Sequence, residues 1–426
     1  MRELSLGNTD LQGNPDLRWD ADVVIVGGSV AGAVTAHALA EYGLTSILLE
    51  RAVEFPELNR GDTIQPLSLG FLDRWGVLPE IEGLSGYPVS GSGFFHRKHG
   101  FLGSWDFEGL PGPFQHQIIL RHTNFHRALY AAFAAKPDLV RVCRGAQANT
   151  VLVDGDDVVG IGGSIAGQRF HARGKLVVAA DGAQSKLARF LGIEVEEPYL
   201  YEHEYLMLSC PRPRVPELEH RSMRYVGKDG LTMLIPLDGG EQVRIPFQIE
   251  SADAGHWRSL PPEKLRDRLL ERAPILEPVA TPDVITDGTH SYRIHLRHAK
   301  SYVRHRVCLV GDAAHVVPPT VGQGMNMAML DAEVLAAVVK RCVDVEGVSD
   351  ASLGRYEQAR RPVNVAALAA SHEQTLRQAA TGPEIDEHCV ADHAWLADPD
   401  RRREIALRVA GMLNPTSRDL DFEVAS

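Results

Sequence analysis

An acid stands at the end of an apolar run in VCLVGDAAHVVPPTVGQGMNMAMLDA, residues 307–332. Asp312 falls outside the carboxyl end of a predicted strand, where ligands of doubly wound sheets bind. Gly311, Gly322 and Gly324 leave the backbone bare of side chains. The helix that follows, from about Met325 and Asn326, turns its positive end toward that spot. Such an end suits a group that gains negative charge, as the pyrimidine edge of a flavin does on reduction. Pro318-Pro319 stiffens the loop and offers carbonyls without N–H groups, acceptors for a phenol. Without a ligand, the same residues read as a capped helix behind a rigid loop.

Almost 300 residues earlier, VGGSVAG opens another helix after a β-branched run. In a dinucleotide fingerprint one glycine makes the tight turn, here Gly27 followed by Gly28, a second lets the backbone approach a pyrophosphate, and a third, here Gly32, lets helix pack on strand. Ser29 stands in the middle slot and Ala31 keeps the first turn small. Glu50 ends the next strand 18 residues after Gly32, where a carboxylate accepts ribose hydroxyls and would repel a 2′-phosphate. A dinucleotide with a free ribose, FAD or NAD, fits this slot. Between the two lies KLVVAADGAQSKLARFLG, a buried strand ending at Asp181-Gly182. Asp181 there reads either as a second nucleotide contact or as an N-cap, shared with Ser185, for the helix from Lys186.

The composition allows this chemistry and removes other classes. The chain has 426 residues, 44% of them hydrophobic, enough for two cores. A formal charge of -12 argues against a nucleic-acid or anionic-membrane surface. Five scattered cysteines with no CxxC pair fit a reducing compartment, so a cytoplasmic location is expected, with neither a metal site nor a disulfide framework. The N-terminal segment is polar and mixed in charge, unlike a signal peptide. The stretch ADVVIVGGSVAGAVTAHALA changes from a β-branched run to helical spacing, so it is a strand-turn-helix and no membrane span.

Positioning these turns requires parallel strands, and the middle of the chain is different. Residues 221–250 show period-2 runs split by Lys-Asp-Gly and Asp-Gly-Gly, an antiparallel meander. Met223, Tyr225, Leu231, Met233, Ile235, Leu237, Val243, Ile245, Phe247 and Ile249 share one parity, so one apolar face is expected. The predicted fold class is α/β: a Rossmann-like cofactor domain (20–86, 118–195 and 290–360) with an inserted antiparallel-sheet substrate domain (87–117 and 196–289). Residues 361–426 form a C-terminal helical segment.

Taken together, VGGSVAG, LRHTNFHRAL, GDAAH and PPTVGQGMN resemble the para-hydroxybenzoate hydroxylase-like, single-component (class A) FAD-dependent aromatic monooxygenases. The resemblance spans roughly residues 20 to 365. It implies that Gly27, Gly28, Ser29, Ala31 and Gly32 hold the FAD diphosphate, with Glu50 and Arg51 at its ribose. It implies Arg121 at the FAD linker, Arg60 of RGDTIQP near the flavin, and Gly311 and Asp312 on the ribityl chain. It puts the backbone of Gly324, Met325 and Asn326 against the ring, counts Gly322 among the cofactor-binding positions, and sets Pro319 beside the substrate. The implied reaction uses NADPH or NADH and O2 to hydroxylate or epoxidise an aromatic or polycyclic small molecule through a flavin hydroperoxide, with no obligate protein partner. Tyr225, Arg224, Arg244, His295 and His298 are candidates to bind or ionise that substrate. Two related reactions compete: a halogenase, for which Lys98 in FFHRKHG is the candidate lysine, and a reductase or oxidase of the same fold.

Overall fold

The computed structural model describes residues 1–7, 15–55, 63–282, 291–414 and 416. Its centre is a six-stranded sheet in the order Val140–Arg144, Ser46–Glu50, Val23–Val26, Leu176–Ala179, Val307–Leu309 and Val303–Arg304. The first five run parallel and the last is an antiparallel edge. Val23–Val26, Ser46–Glu50 and Leu176–Ala179 are buried along their whole length, as β-branched runs covered on both faces must be. All three predicted turns leave carboxyl ends of this sheet: Gly27 after Val26, Asp181 after Ala179, and Asp312 after Leu309.

The helix Val30–Glu41 is buried almost all round. It packs closely on the helix Gly324–Arg341, which is buried from Asn326 to Val339. Small residues make that close approach possible. A five-stranded sheet, absent from the sequence reading, covers the other side and recruits Arg2–Ser5 and Leu17–Asp20 from the polar N-terminus.

The second large sheet has eight strands, ordered His315–Val316, Ser291–His298, Tyr199–Pro211, Gln242–Glu250, Thr232–Leu237, Arg221–Val226, Gly91–His96 and Gly100–Asp106, and is antiparallel as expected except that Arg221–Val226 and Gly91–His96 run parallel. The expectation of one apolar face is corrected here. Met223 pairs with Leu234, so the hairpin aligns odd positions with even ones. Met223, Tyr225, Leu234, Val243, Ile245 and Phe247 form one core together with the helix Pro262–Arg272. Leu231 and Met233 belong to a different cluster, with Tyr205 and Met207. Side chains alternate across a sheet, so an odd pairing sum moves a strand's odd residues to the other face.

A single helix, Asp350–Ala379, runs through Pro362 with no break at residue 361. The helices Pro383–Asp392 and Pro399–Val409 then fold back, burying Leu396, Ala406 and Ala410 against Phe94, Trp105 and Phe107. Among the described residues no helix is long and apolar enough to cross a membrane.

Candidate functional site

The Gly27–Gly32 turn is a cradle that side chains would fill. Gly27 has φ +101°, and a Cβ there would sit 2.3 Å from the Ala180 carbonyl oxygen. A Cβ on Gly28 would meet the Tyr130 hydroxyl at 2.3 Å, and one on Gly32 would lie 1.8 Å from the Gly27 oxygen. Gly28 N–H donates to Glu50 Oε2 at 2.7 Å, and Ala52 N–H donates to Oε1 at 2.6 Å. The Tyr130 hydroxyl donates to the Gly28 carbonyl at 2.7 Å. Glu50 is thereby oriented over the turn by backbone, and Arg51 beside it is exposed. No side chain caps the helix that starts at Val30, and its first turn holds no acid. Its N–H groups are open to a phosphate.

The helix Gly324–Arg341 has the same open start, without side-chain cap or acid in the first turn. The Asn326 side chain braces the loop before it. Its Nδ2 donates to the Gly322 and Thr63 carbonyls at 2.8 and 3.0 Å, and its Oδ1 accepts Gln65 N–H at 3.0 Å. The Asn326 side chain thus holds the loop. Gly322 sits at φ +65°, as this tight turn requires. Asp312 is half-buried in the Gly311–Ala313 turn, where Gly311 (φ +56°) packs against Ala31 and Ala328.

Other predicted positions have different surroundings. Asp181 Oδ2 caps Lys186 N–H at 2.8 Å, and Ser185 Oγ caps Ala188 N–H at 3.0 Å, leaving only Asp181 Oδ1 unpaired. Arg121 forks onto Asp238. Arg60 lies outside the described residues. Lys98 is exposed and pairs with Asp386 at 2.8 Å, so it is a surface ion-pair partner.

A cavity of about 430 Å³ lies between the antiparallel sheet, the Pro319–Thr320 turn and the C-terminal helices. Phe94, Trp105, Met233, Ile235 and Pro319 supply apolar wall; Arg224 supplies charge on the sheet side, and Glu373, Arg377, Asp392, Arg401, Glu404 and Arg408 supply charge of both signs on the C-terminal side. Arg224 donates to Ser92 Oγ and, at 3.5 Å, to the Thr320 carbonyl; its Nε has no partner. Among the described residues no carboxylate pairs with it. Burial pulls this guanidinium down to about 10, still a cation at neutral pH. Tyr205, which burial pushes up to about 12, lies beside Arg224 and Thr320. Tyr225 does not join them. It stacks on Phe95, centroids 5.5 Å apart, on the opposite face of the sheet, because neighbouring residues of a strand point apart. The Pro319 carbonyl accepts Gly322 N–H at 2.9 Å, so the turn itself uses one of its lone pairs. His298 is buried in a hydrogen bond with Tyr302, Nε2 to hydroxyl 2.8 Å, away from the cavity wall.

Sequence reasoning missed Thr320, Tyr205 and the contribution of the C-terminal segment, which rims the cavity with His393, Arg401 and Arg408. A helical tail rich in arginine gave no sign of where it folds.

A parallel sheet whose carboxyl ends meet two uncapped helix starts, with Glu50 beside the first, is an arrangement suited to a dinucleotide. The family model described as "FAD binding domain" matches residues 20–371, and the chain belongs to that family. It is similar to para-nitrophenol 4-monooxygenase of Pseudomonas sp. (strain WBC-3), 28% identical over 359 residues, 80% of this chain and 83% of the relative. It is 26% identical to the probable NADH-specific resorcinol 4-hydroxylase of Rhodococcus jostii (strain RHA1), over 92% of this chain and 72% of the relative. The crystal structure of p-nitrophenol 4-monooxygenase PnpA from Pseudomonas putida DLL-E4 superposes with a TM-score of 0.77 at 22% identity, covering 93% and 99% of the two chains. The chain is an FAD-dependent monooxygenase.

Proposed function

We propose that this monooxygenase hydroxylates an aromatic compound carrying an acidic group, a phenol or a carboxylate, held in the cavity by Arg224. The observation that carries this reading is Arg224, a cation with no carboxylate partner among the described residues, set beside Phe94, Trp105, Met233 and Ile235 on the sheet side of a cavity whose other, C-terminal side is charged, next to the turn that leads into the Gly324 helix start. A half-buried guanidinium with only neutral acceptors gains from a ligand anion that completes it. Relatives named for nitrophenol and resorcinol act on acidic phenols, which supports the same class here. A cavity of about 430 Å³ has room for more than one ring.

In this reading Gly27, Gly28, Ser29, Ala31 and Gly32 hold the FAD diphosphate and Glu50 its ribose. Asp312 binds the ribityl chain, and the backbone of Gly324, Met325 and Asn326 faces the ring. Bound FAD would supply the redox and oxygen chemistry; the protein binds and orients. Arg224 favours the ionised hydroxyl, which makes the ring electron-rich, and the apolar wall with the C-terminal helices keeps water out. NADPH or NADH provides the hydride. All five cysteines are buried and unpaired, which supports a reducing, cytoplasmic setting.

The test is NAD(P)H oxidation across matched pairs of phenols and their methyl ethers. The free phenols should stimulate turnover at least tenfold and yield hydroxylated product. Equal stimulation by the ethers would remove the acidic-group requirement.

A further inference from the structure

Below the Gly311–Asp312 turn lies a cluster of buried polar groups that the reaction itself does not use. Asp331, fully buried on the helix Gly324–Arg341, receives four donors. Its Oδ2 accepts His315 Nε2 at 2.6 Å and the Gly311 backbone N–H at 3.2 Å. Its Oδ1 accepts Arg360 Nε at 3.0 Å and Asn364 Nδ2 at 3.1 Å. Arg360 also donates to Asn364 Oδ1 at 2.8 Å, and Asn364 donates to the Tyr302 hydroxyl at 3.2 Å. Arg360 and Asn364 are fully buried, and His315 is 1% exposed.

The geometry points to Asp331 as the positioning residue of the Gly311–Asp312 turn, with Arg360 as its obligatory counter-ion. Gly311 is at φ +56°, and any Cβ there would lie 2.7 Å from Ala31, so packing alone crowds the turn without holding its N–H. The Asp331 carboxylate supplies that hold and grips His315 at the other end of the same turn. Burial would by itself raise the Asp331 pKa, but His315, Arg360 and Asn364 outweigh it, and the carboxyl stays well below its usual range. An anion buried this deeply needs its cation. Arg360 comes from the helix Asp350–Ala379, whose Tyr356 hydroxyl also donates to the Leu309 carbonyl at 2.8 Å. Tyr356, Arg360 and Asn364 are spaced by four, so one helical face grips both the strand end and the helix behind the turn. Further along the same helix, Thr375 Oγ1 lies 2.9 Å from Thr320 Oγ1 at the cavity. One rigid element therefore registers the turn that carries Asp312 against the turn that carries Pro319.

This inference rests on the reading that Asp312 binds the ribityl chain, and the experiment separates the two. The full-length holoenzyme is made as Asp331→Leu/Arg360→Met, which removes both charges together and so leaves neither ion buried alone. Melting temperature and the FAD dissociation constant, from flavin released on dilution, are both read. A melting temperature close to wild type with FAD bound at least tenfold more weakly is expected. FAD affinity within twofold of wild type would overturn the inference. If the double variant does not fold, Arg360→Lys, which keeps the charge but loses the planar fork, serves instead. It should weaken FAD at least threefold with its melting temperature retained, and wild-type affinity there overturns the inference too. Asp312→Ala is run alongside. Wild-type FAD affinity in Asp312→Ala would sink the underlying reading, whereas weakening only in Asp312→Ala would sink the positioning role alone.

Discussion

Arg121 meets Asp238 with both prongs of its guanidinium, Nε to Oδ1 at 2.6 Å and Nη2 to Oδ2 at 2.5 Å. The pair ties the start of the helix His122–Ala131 to the hairpin that follows Thr232–Leu237. Asp238, Gly239 and Gly240 all have positive φ there, a bend that turns the carboxylate toward Arg121. The side chains are 34% and 27% exposed, so the pair contributes at most about 1 kcal/mol to stability.

The role that the resemblance implies for Arg121 can be separated from this pairing. Arg121→Ala should weaken FAD binding about tenfold, the loss of one charge-assisted hydrogen bond. Asp238→Ala frees the guanidinium and should leave FAD affinity equal or tighter. Equal weakening in both variants would mean that the ion pair, and no direct contact, is what the cofactor needs. Flavin titration of the two proteins decides it.

Asp312→Ala should weaken FAD by about ten- to hundredfold, since a hydrogen bond to a charged group contributes about 1.5–3 kcal/mol. Flavin content after exhaustive dialysis is the measurement. Retention equal to wild type would reduce the turn to a structural element.

Gly32→Ala should destabilise the fold by about 1–3 kcal/mol or more, because the new methyl would lie 1.8 Å from the Gly27 oxygen and the backbone must shift. Urea unfolding should show it even without flavin. A wild-type midpoint would mean that the helix can slide on the strand at no cost.

Three buried histidines make stability fall with acid. Burial, together with the Lys136 charge, lowers His37 to about 3; burial, then His122, lowers His126 to about 3; burial lowers His203 to about 4. Each stays neutral in the native chain while the unfolded chain protonates near 6.5. Stability is therefore full above that pH and is lost as the pH falls toward the folded values. At pH 5 the loss is about 2 kcal/mol per histidine. His37→Gln keeps a donor for the Leu129 carbonyl and an acceptor for Lys136, and should remove about a third of this loss. Thermal melts at pH 7 and 5 test it; an unchanged slope in His37→Gln would assign the acid sensitivity elsewhere.

Several features of this protein follow from sequence alone. Val23–Val26 and Ser46–Glu50 are β-branched or leucine-rich runs that can only be buried strands, and Gly27, Gly32 and Gly322 mark turns that a Cβ would block. The apolar runs and the positive φ of Gly27 and Gly322 are local matters of pattern and backbone sterics, read without a fold, whereas the atoms that crowd those two glycines, Ala180 and Thr63, are distant in sequence. The family segments GDAAH and PPTVGQGMN likewise carry their turn geometry within a dozen residues.

Tertiary structure alone decided which face each sheet residue takes. The Met223–Leu234 pairing sends Arg224 into the cavity and its neighbour Tyr225 away from it. It also decided the partners of the charges. Asp238 lies 117 residues from Arg121, and Arg360 lies 29 residues from Asp331, on a different helix. No periodicity encodes such pairs, because strand register and helix packing are fixed by the whole core, and a shift of one residue would exchange every partner.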